Sequence, residues 1–262
     1  MRREAFEQFA TLDREHWWFR GRRVVYLGLL ARELGGKRPA RALDLGCGPG
    51  GFVPGLLGLC ESVIAADEDL ESLQSAKARE DIAGCAPSVA TTARRLPFKS
   101  GCFDLVCLYD VLEHIEDEPG ALREIRRVLA PSGVLAMSVP AYPWLFSNND
   151  RVAMHCRRYT RASLHAALER AGFEVSRNTH ANVLLTPVIV PLTLIAKALE
   201  ATLLSGRTAQ HTNLSWPLPR FAHALLERVF ACELRWTARW DARFGHSIAA
   251  IARRTESGPQ PP

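Results

Sequence analysis

Lysine is nearly missing from this chain. Of the 33 basic residues only Lys37, Lys77, Lys99 and Lys197 are lysines, so the net charge of +5 rests on arginine. The arginines come as scattered pairs, such as Arg22 with Arg23, Arg94 with Arg95 and Arg157 with Arg158, interleaved with acids. No dense basic stripe of the kind that tracks a phosphate backbone is present, which argues against a nucleic-acid partner. None of the seven cysteines forms a CxxC pair, and no His/Cys group has zinc-ligand spacing. A reduced protein without a metal is therefore expected. The opening Met1-Arg2-Arg3-Glu4, soon followed by Asp13, Arg14 and Glu15, lacks the apolar core of an export signal, so the expectation is a cytoplasmic chain. No internal repeat is visible, and only the Pro-rich end after Glu256 reads as disordered.

A convincing membrane span is also lacking. The candidate run from Ala181 to Ala196 carries no charge, but at about 1.5 Å per residue it reaches only about 24 Å, against a hydrocarbon core of about 30 Å. Pro187 and Pro191 interrupt it, and extending it to Leu204 takes in Lys197 and Glu200. Residues 183–204 read better as an apolar lid or an interfacial helix, one that would allow peripheral contact with the inner membrane face.

With 47% hydrophobic and 23% charged residues the chain can bury a full core. From about residue 40 to 180 strand and helix signals alternate, the pattern of a doubly wound, mostly parallel α/β sheet. Strands are expected at Arg41 to Leu45, Ser62 to Ala66, around Val89, at Phe103 to Tyr109, at Val134 to Val139, from Phe173, and at His246 to Ala252. Helices are expected at Phe52 to Cys60, from Asp69 as N-cap to about Ala83 with Leu70, Leu73 and Ala76 inward, at Glu118 to Leu129, and at Arg161 to Ala171 before Gly172. Arg123, Arg126 and Arg127 read as a solvated face. The division is an N-terminal helical segment or lid (1–37), a core (38–182), a helical apolar insertion (183–243), the last strand of the core sheet (244–254) and a tail (255–262). In the insertion Phe221, Leu225, Val229, Cys232, Trp236 and Trp240 recur every three or four positions, a stripe expected in the core.

Gly46, Gly48 and Gly51 fit GxGxxG, which by itself permits an NAD(P)-binding oxidoreductase. The same stretch reads Asp44-Leu45-Gly46-Cys47-Gly48-Pro49-Gly50. It is followed in order by Asp67, Leu96-Pro97-Phe98, Gly101-Cys102-Phe103-Asp104-Leu105-Val106, Asp110-Val111-Leu112-Glu113-His114 and Arg127-Val128-Leu129-Ala130-Pro131-Ser132-Gly133. Over residues 40–180 this series resembles the small-molecule branch of the class I S-adenosylmethionine-dependent methyltransferases. His16-Trp17-Trp18-Phe19-Arg20 and His155-Cys156-Arg157-Arg158-Tyr159 are similar to a bacterial subgroup linked to polysaccharide, lipid or secondary metabolism. No Tyr-Lys hydride-transfer pair stands out for the oxidoreductase reading, and a catalytically silent cofactor-binding subunit is the third.

The resemblance implies roles by position. Gly46, Gly48 and Gly50 would hold the methionine part of S-adenosylmethionine, Asp67 the ribose, Leu96 the adenine face, and Tyr109 with Asp110 the mouth beside the sulfonium. Asp44, Cys47, Glu68, Thr92, Ala93 and His114 complete the cofactor set. Thr92 stands where many relatives carry an aspartate, so a charge-assisted adenine contact is lost. Trp17, Trp18 and Phe19 would either close over the cofactor, with Arg20 near its carboxylate, or anchor the first helix. His114 and His155 are candidate bases, since imidazole titrates near neutrality. Tyr142, Trp144 and Phe146 could wall an apolar acceptor, and Arg157, Arg158 and Tyr159 could contact it. The acceptor is expected to be a small or lipid-like molecule methylated on oxygen or nitrogen, leaving S-adenosylhomocysteine.

Overall fold

The computed structural model describes residues 11–82, 84–203 and 218–255, with the side chains of 199–203 left aside. Seven strands form one sheet: β1 (Arg41–Leu45), β2 (Ser62–Asp67), β3 (Ser88–Ala90), β4 (Phe103–Tyr109), β5 (Leu129–Pro140), β6 (Phe173–Ala181) and β7 (Ser247–Arg254). Their order is β3-β2-β1-β4-β5-β7-β6. β1 pairs in parallel with both β2 and β4, and β7 runs antiparallel between β5 and β6. The chain turns one way after β1 and the other way after β4, so a crevice opens beyond the carboxyl ends of these two strands, where open α/β sheets bind ligands. This is the Rossmann-like fold the strand and helix pattern predicts.

Helices cover both faces. α1 (Trp17–Leu34) starts where the His16 side chain accepts from Trp18 N–H at 3.3 Å, and it stops at Gly35 with φ +55°. α2 (Val53–Leu59) and α3 (Leu70–Lys77) follow β1 and β2. Asp69 caps α3, accepting from Ser72 N–H at 3.0 Å. The helix ends earlier than expected, Ala83 lies outside the described residues, and Leu70 points to solvent while Leu73 and Ala76 are buried. α4 (Glu118–Val128) is capped by Asp117 and buries Ala121, Leu122, Ile125 and Val128. β5 begins at Leu129, five residues before the expected Val134, because Leu129 already pairs with Phe103 before a register irregularity.

Beyond β5 come α5 (Asn148–Val152) and α6 (Arg161–Arg170), and beyond β6 come α7 (Thr186–Leu203), α8 (Arg220–Cys232) and the short α9 (Leu234–Thr237). No helix among the described residues is long and apolar enough to cross a membrane.

The insertion and the N-terminal segment pack on each other. Trp17 and Trp18 have ring centroids 6.5 and 5.6 Å from the buried Phe230 of α8, and a Cβ on Gly21 would lie 2.6 Å from that ring. The Glu233 carboxylate accepts from the Asn182 and Val183 N–H groups at 2.6 and 2.7 Å, tying the start of the insertion to its end. Trp17 and Trp18 therefore act as an anchor between helices. The expected core stripe fails: Phe221, Leu225 and Trp240 are exposed, and Phe230 is the buried aromatic instead. A period of three to four locates an apolar face but not the side on which its partner sits.

Candidate cofactor and acceptor site

The glycine turn leaves β1 at the crevice. Gly46 and Cys47 N–H both donate to Ala66 O, at 2.7 and 3.0 Å, so the turn is laced to the end of β2. Gly46, Gly48 and Gly50 have φ of +73°, +53° and +78°, a region where a side chain is strained. A Cβ on Gly46 would overlap the Val111 side chain. Asp67 Oδ2 accepts from Gly48 N–H at 2.8 Å and Oδ1 from Asp69 N–H at 2.9 Å. Its carboxylate thus braces the turn against the start of α3. Burial raises its pKa while these two amides work the other way. Glu68 beside it is exposed.

Asp44 is 2% exposed, and its Oδ2 finds no hydrogen-bond donor. Burial, and then the Asp67 and Asp13 carboxylates, push it up to about 7. An unpartnered carboxylate beside a bare backbone turn fits a ligand that carries an ammonium group. It does not fit a pyrophosphate, which would add negative charge next to these acids. The residues present therefore suit S-adenosylmethionine better than a nicotinamide dinucleotide.

Arginine reaches this corner from α1, but it is Arg22 and not Arg20. Arg20 faces away and pairs with Glu227 of α8 at 2.9 Å, half exposed. Arg22 is nearly buried, forms an ion pair with Asp110, and lies over Phe19 and Phe52 with its guanidinium 4.5 and 5.5 Å from their centroids. Asp110 has φ +55° and also accepts from Ser138 Oγ at 2.8 Å. Tyr109 does not open onto a mouth. Its ring stacks on Phe52 and Tyr26, 4.3 and 5.5 Å away, and its hydroxyl is buried without a partner.

Of the residues expected to meet the adenine, Leu96 and Ala93 are buried in the core cluster, and Thr92 pairs locally with Arg95. The segment is clamped by α4: Glu124 accepts from Leu96 N–H at 2.8 Å, and Arg127 donates to the Leu96 and Phe98 carbonyls at 3.1 and 2.9 Å. Arg126 likewise donates to Gly172 and Thr255 carbonyls. These two arginines are tethers, not the solvated face expected of them. Apart from Glu124, which Arg127 meets one turn back, their partners lie tens of residues away, so helical spacing alone could not reveal these tethers.

At the outer edge of β4 the 3-10 turn Leu112–His114 brings His114 to His155, with ring centroids 4.6 Å apart at 85°. Desolvation of its ring and the facing His155 lower His114 to about 4, although one edge of the residue stays open to solvent. His155 Nδ1 lies 2.8 Å from Asp150 Oδ1, and Arg158 Nε reaches the same oxygen at 2.7 Å. Burial pushes the Asp150 pKa up, but those two hydrogen bonds outweigh it and hold the carboxyl well below the usual range.

Several expected acceptor contacts are already taken. Arg158 is committed to Asp150 and the Ala141 carbonyl. The Tyr159 hydroxyl donates to Glu118 at 2.6 Å, and Arg157 reaches the Glu116 carbonyl and, more distantly, Glu118. These three hold the loop after β5 together. Tyr142 and Trp144 do stay at the edge: Tyr142 has φ +64° and stacks on His180 at 5.4 Å, and Trp144 is 54% exposed.

Residues 43–137 match the family described as a methyltransferase domain. A protein of Mycolicibacterium smegmatis, named "Probable S-adenosylmethionine-dependent methyltransferase", is 31% identical over 169 residues, which is 63% of this chain and 62% of that one. The malonyl-[acyl-carrier protein] O-methyltransferase of Geobacter sulfurreducens is 30% identical over 167 residues, covering 56% of this chain and 60% of that one. The chain thus spans about three-fifths of the length of these curated relatives. The solved structure of the N-methyltransferase NodS from Bradyrhizobium japonicum WM9 with S-adenosyl-L-homocysteine superposes with a TM-score of 0.58 over 97% of this chain and 98% of that one. At 16% identity this last likeness is one of fold.

Proposed function

We propose that this chain, whose residues 43–137 match a methyltransferase domain, is a class I S-adenosylmethionine-dependent methyltransferase that moves the methyl group of that cofactor to a small-molecule or lipid-like acceptor, on oxygen or nitrogen. The observation that carries the reading is the glycine turn with an unpartnered Asp44 on one side and Asp67 on the other. When bound, S-adenosylmethionine supplies a methyl carbon activated by positive sulfur. Asp44 would hold its ammonium, the bare glycine turn would pass its methionine part, Asp67 would accept from its ribose hydroxyls, and Arg22 would face its carboxylate. What remains for the protein is to align nucleophile and methyl and to exclude water. His114, whose pKa desolvation lowers to about 4, and its neighbour His155 are the groups available to accept a proton from the acceptor.

Calorimetric titration with S-adenosylhomocysteine and with NAD tests this. Binding of the first ligand only is expected, weakened by about 1.5–3 kcal/mol in Asp67→Ala. Heat released by NAD instead would restore the oxidoreductase reading. Binding with full affinity but no transfer to any acceptor would favour a silent subunit.

A lipid-like acceptor is supported by two things. One relative is named for an acyl-carrier substrate, and the surface near the acceptor edge is apolar. Lys197 of α7 donates to the Trp144 carbonyl at 2.8 Å, and Val188, Leu192 and Ile195 of α7 are exposed, as are Phe221 and Leu225 of α8. On a chain of net charge +5 this face suits an anionic lipid surface. Co-sedimentation with phosphatidylglycerol vesicles is expected, reduced at least about 100-fold by the pair Leu192→Glu and Ile195→Glu, in line with losing two buried aliphatic side chains at about 1.5–3 kcal/mol each. Equal partitioning of this variant and the parent chain would remove the membrane element from the reading.

A further inference from the structure

Glu113 is the most isolated polar group near the crevice. It is fully buried, and neither carboxylate oxygen has a hydrogen-bond donor. A buried carboxylate of this kind is costly unless something meets it. Arg22, Arg158 and Asp110 act on it through charge, and beside it one donor atom each from Glu113, His114 and His155 lies within 4.8 Å of the other two. Donors sharing an ion at about 2.0–2.2 Å sit up to about 4.3 Å apart, so small rotamer adjustments close the set. Asp150 engages His155 Nδ1, so His155 would ligate through Nε2. A carboxylate behind a ligating imidazole is the usual second layer of a metal site.

From this arrangement we infer that Glu113, His114 and His155 bind a divalent transition-metal cation of the zinc type, with Asp150 as the positioning residue behind His155. Two imidazoles with one carboxylate select such an ion over magnesium or calcium, which take oxygen donors. Three protein ligands leave coordination positions open, and the exposed edge of His114 puts them within reach of solvent and of an acceptor oxygen or nitrogen. The site goes beyond the methyltransferase reading and does not depend on it. It also bears on the proton acceptor, since a ring nitrogen that holds a metal cannot take a proton. The ligands are 42 positions apart in sequence at their widest, which is why spacing rules for zinc motifs pass over them.

The test uses the full chain stripped with chelator and titrated with cobalt(II), read by its visible absorption and by competition with zinc. A single cobalt per chain with nitrogen and oxygen ligation is expected. Glu113→Gln, His114→Gln and His155→Gln should each weaken binding by at least 100-fold, and Asp150→Asn by about 10–100-fold. Cys156→Ser, whose thiol lies against the His114 carbonyl, should bind cobalt as the parent does. Thermal unfolding reports folding, and because His114 is exposed, its variant keeps the test valid where Glu113→Gln fails to fold. S-Adenosylhomocysteine titration of the same variants reads the cofactor site separately. Cobalt affinity unchanged in the His114 and His155 variants, or lost only in Cys156→Ser, would overturn the site.

Discussion

Asp44→Asn is expected to weaken S-adenosylhomocysteine binding at pH 8 by about 10- to 150-fold, corresponding to the loss of a charged hydrogen-bond partner worth about 1.5–3 kcal/mol. The effect should vanish as the pH falls. In the free protein burial and the Asp67 carboxylate raise Asp44 to about 7, whereas the ammonium of the ligand needs the ionised form. Below pH 7 binding must therefore be accompanied by release of a proton, and affinity falls up to about tenfold per pH unit. The gap between the parent protein and Asp44→Asn should shrink about tenfold between pH 8 and pH 6. The sign for stability follows from the same shift: a carboxyl whose pKa is higher folded than unfolded favours folding below the usual carboxylate range and loses that contribution as the pH rises toward 7. Calorimetry at pH 6, 7 and 8 checks the prediction, and a pH-independent affinity in the parent would mean that Asp44 does not meet the cationic group.

Gly46→Ala carries the second large effect, this time on the fold as well as on the ligand. Its φ of +73° costs an L side chain about 1–2 kcal/mol, and the new methyl would overlap Val111, adding about 1–3 kcal/mol of overpacking. Destabilisation of about 2–5 kcal/mol is expected in urea unfolding, together with loss of S-adenosylhomocysteine binding. The double variant Gly46→Ala with Val111→Ala should recover the packing part and keep the conformational part. A coupling energy near zero in that double-mutant cycle would show that Val111 does not limit the approach of the turn.

Much of the frame was readable from the chain alone. The boundaries of β1 and β4 and the burial of Phe103 to Tyr109 follow from short apolar runs ending at glycine or aspartate. The cap at Asp69 follows from side-chain chemistry one turn ahead of an apolar face, whereas the cap at Asp117 came from the structure. Errors gather where direction matters. Arg20 and Arg22 are two positions apart on α1, about 200° around a helix of 3.6 residues per turn. One therefore meets Glu227 at the surface while the other meets Asp110 in the crevice. The same ambiguity sends Phe221 and Trp240 outward and Phe230 inward. Arg158 and Tyr159 carry functional-looking groups, yet Asp150 and Glu118 had already claimed them.

By itself the amino-acid order determined the alternation of strand and helix, the bare turn after β1 and the acid that ends β2, because backbone freedom, hydrophobic period and capping act within a few residues. Only the tertiary structure decided which arginine enters the crevice, that Glu124 and Arg127 clamp Leu96, and that Glu113, His114 and His155 meet. Those contacts join residues on separate elements, and their geometry exists only once the sheet has set the elements side by side.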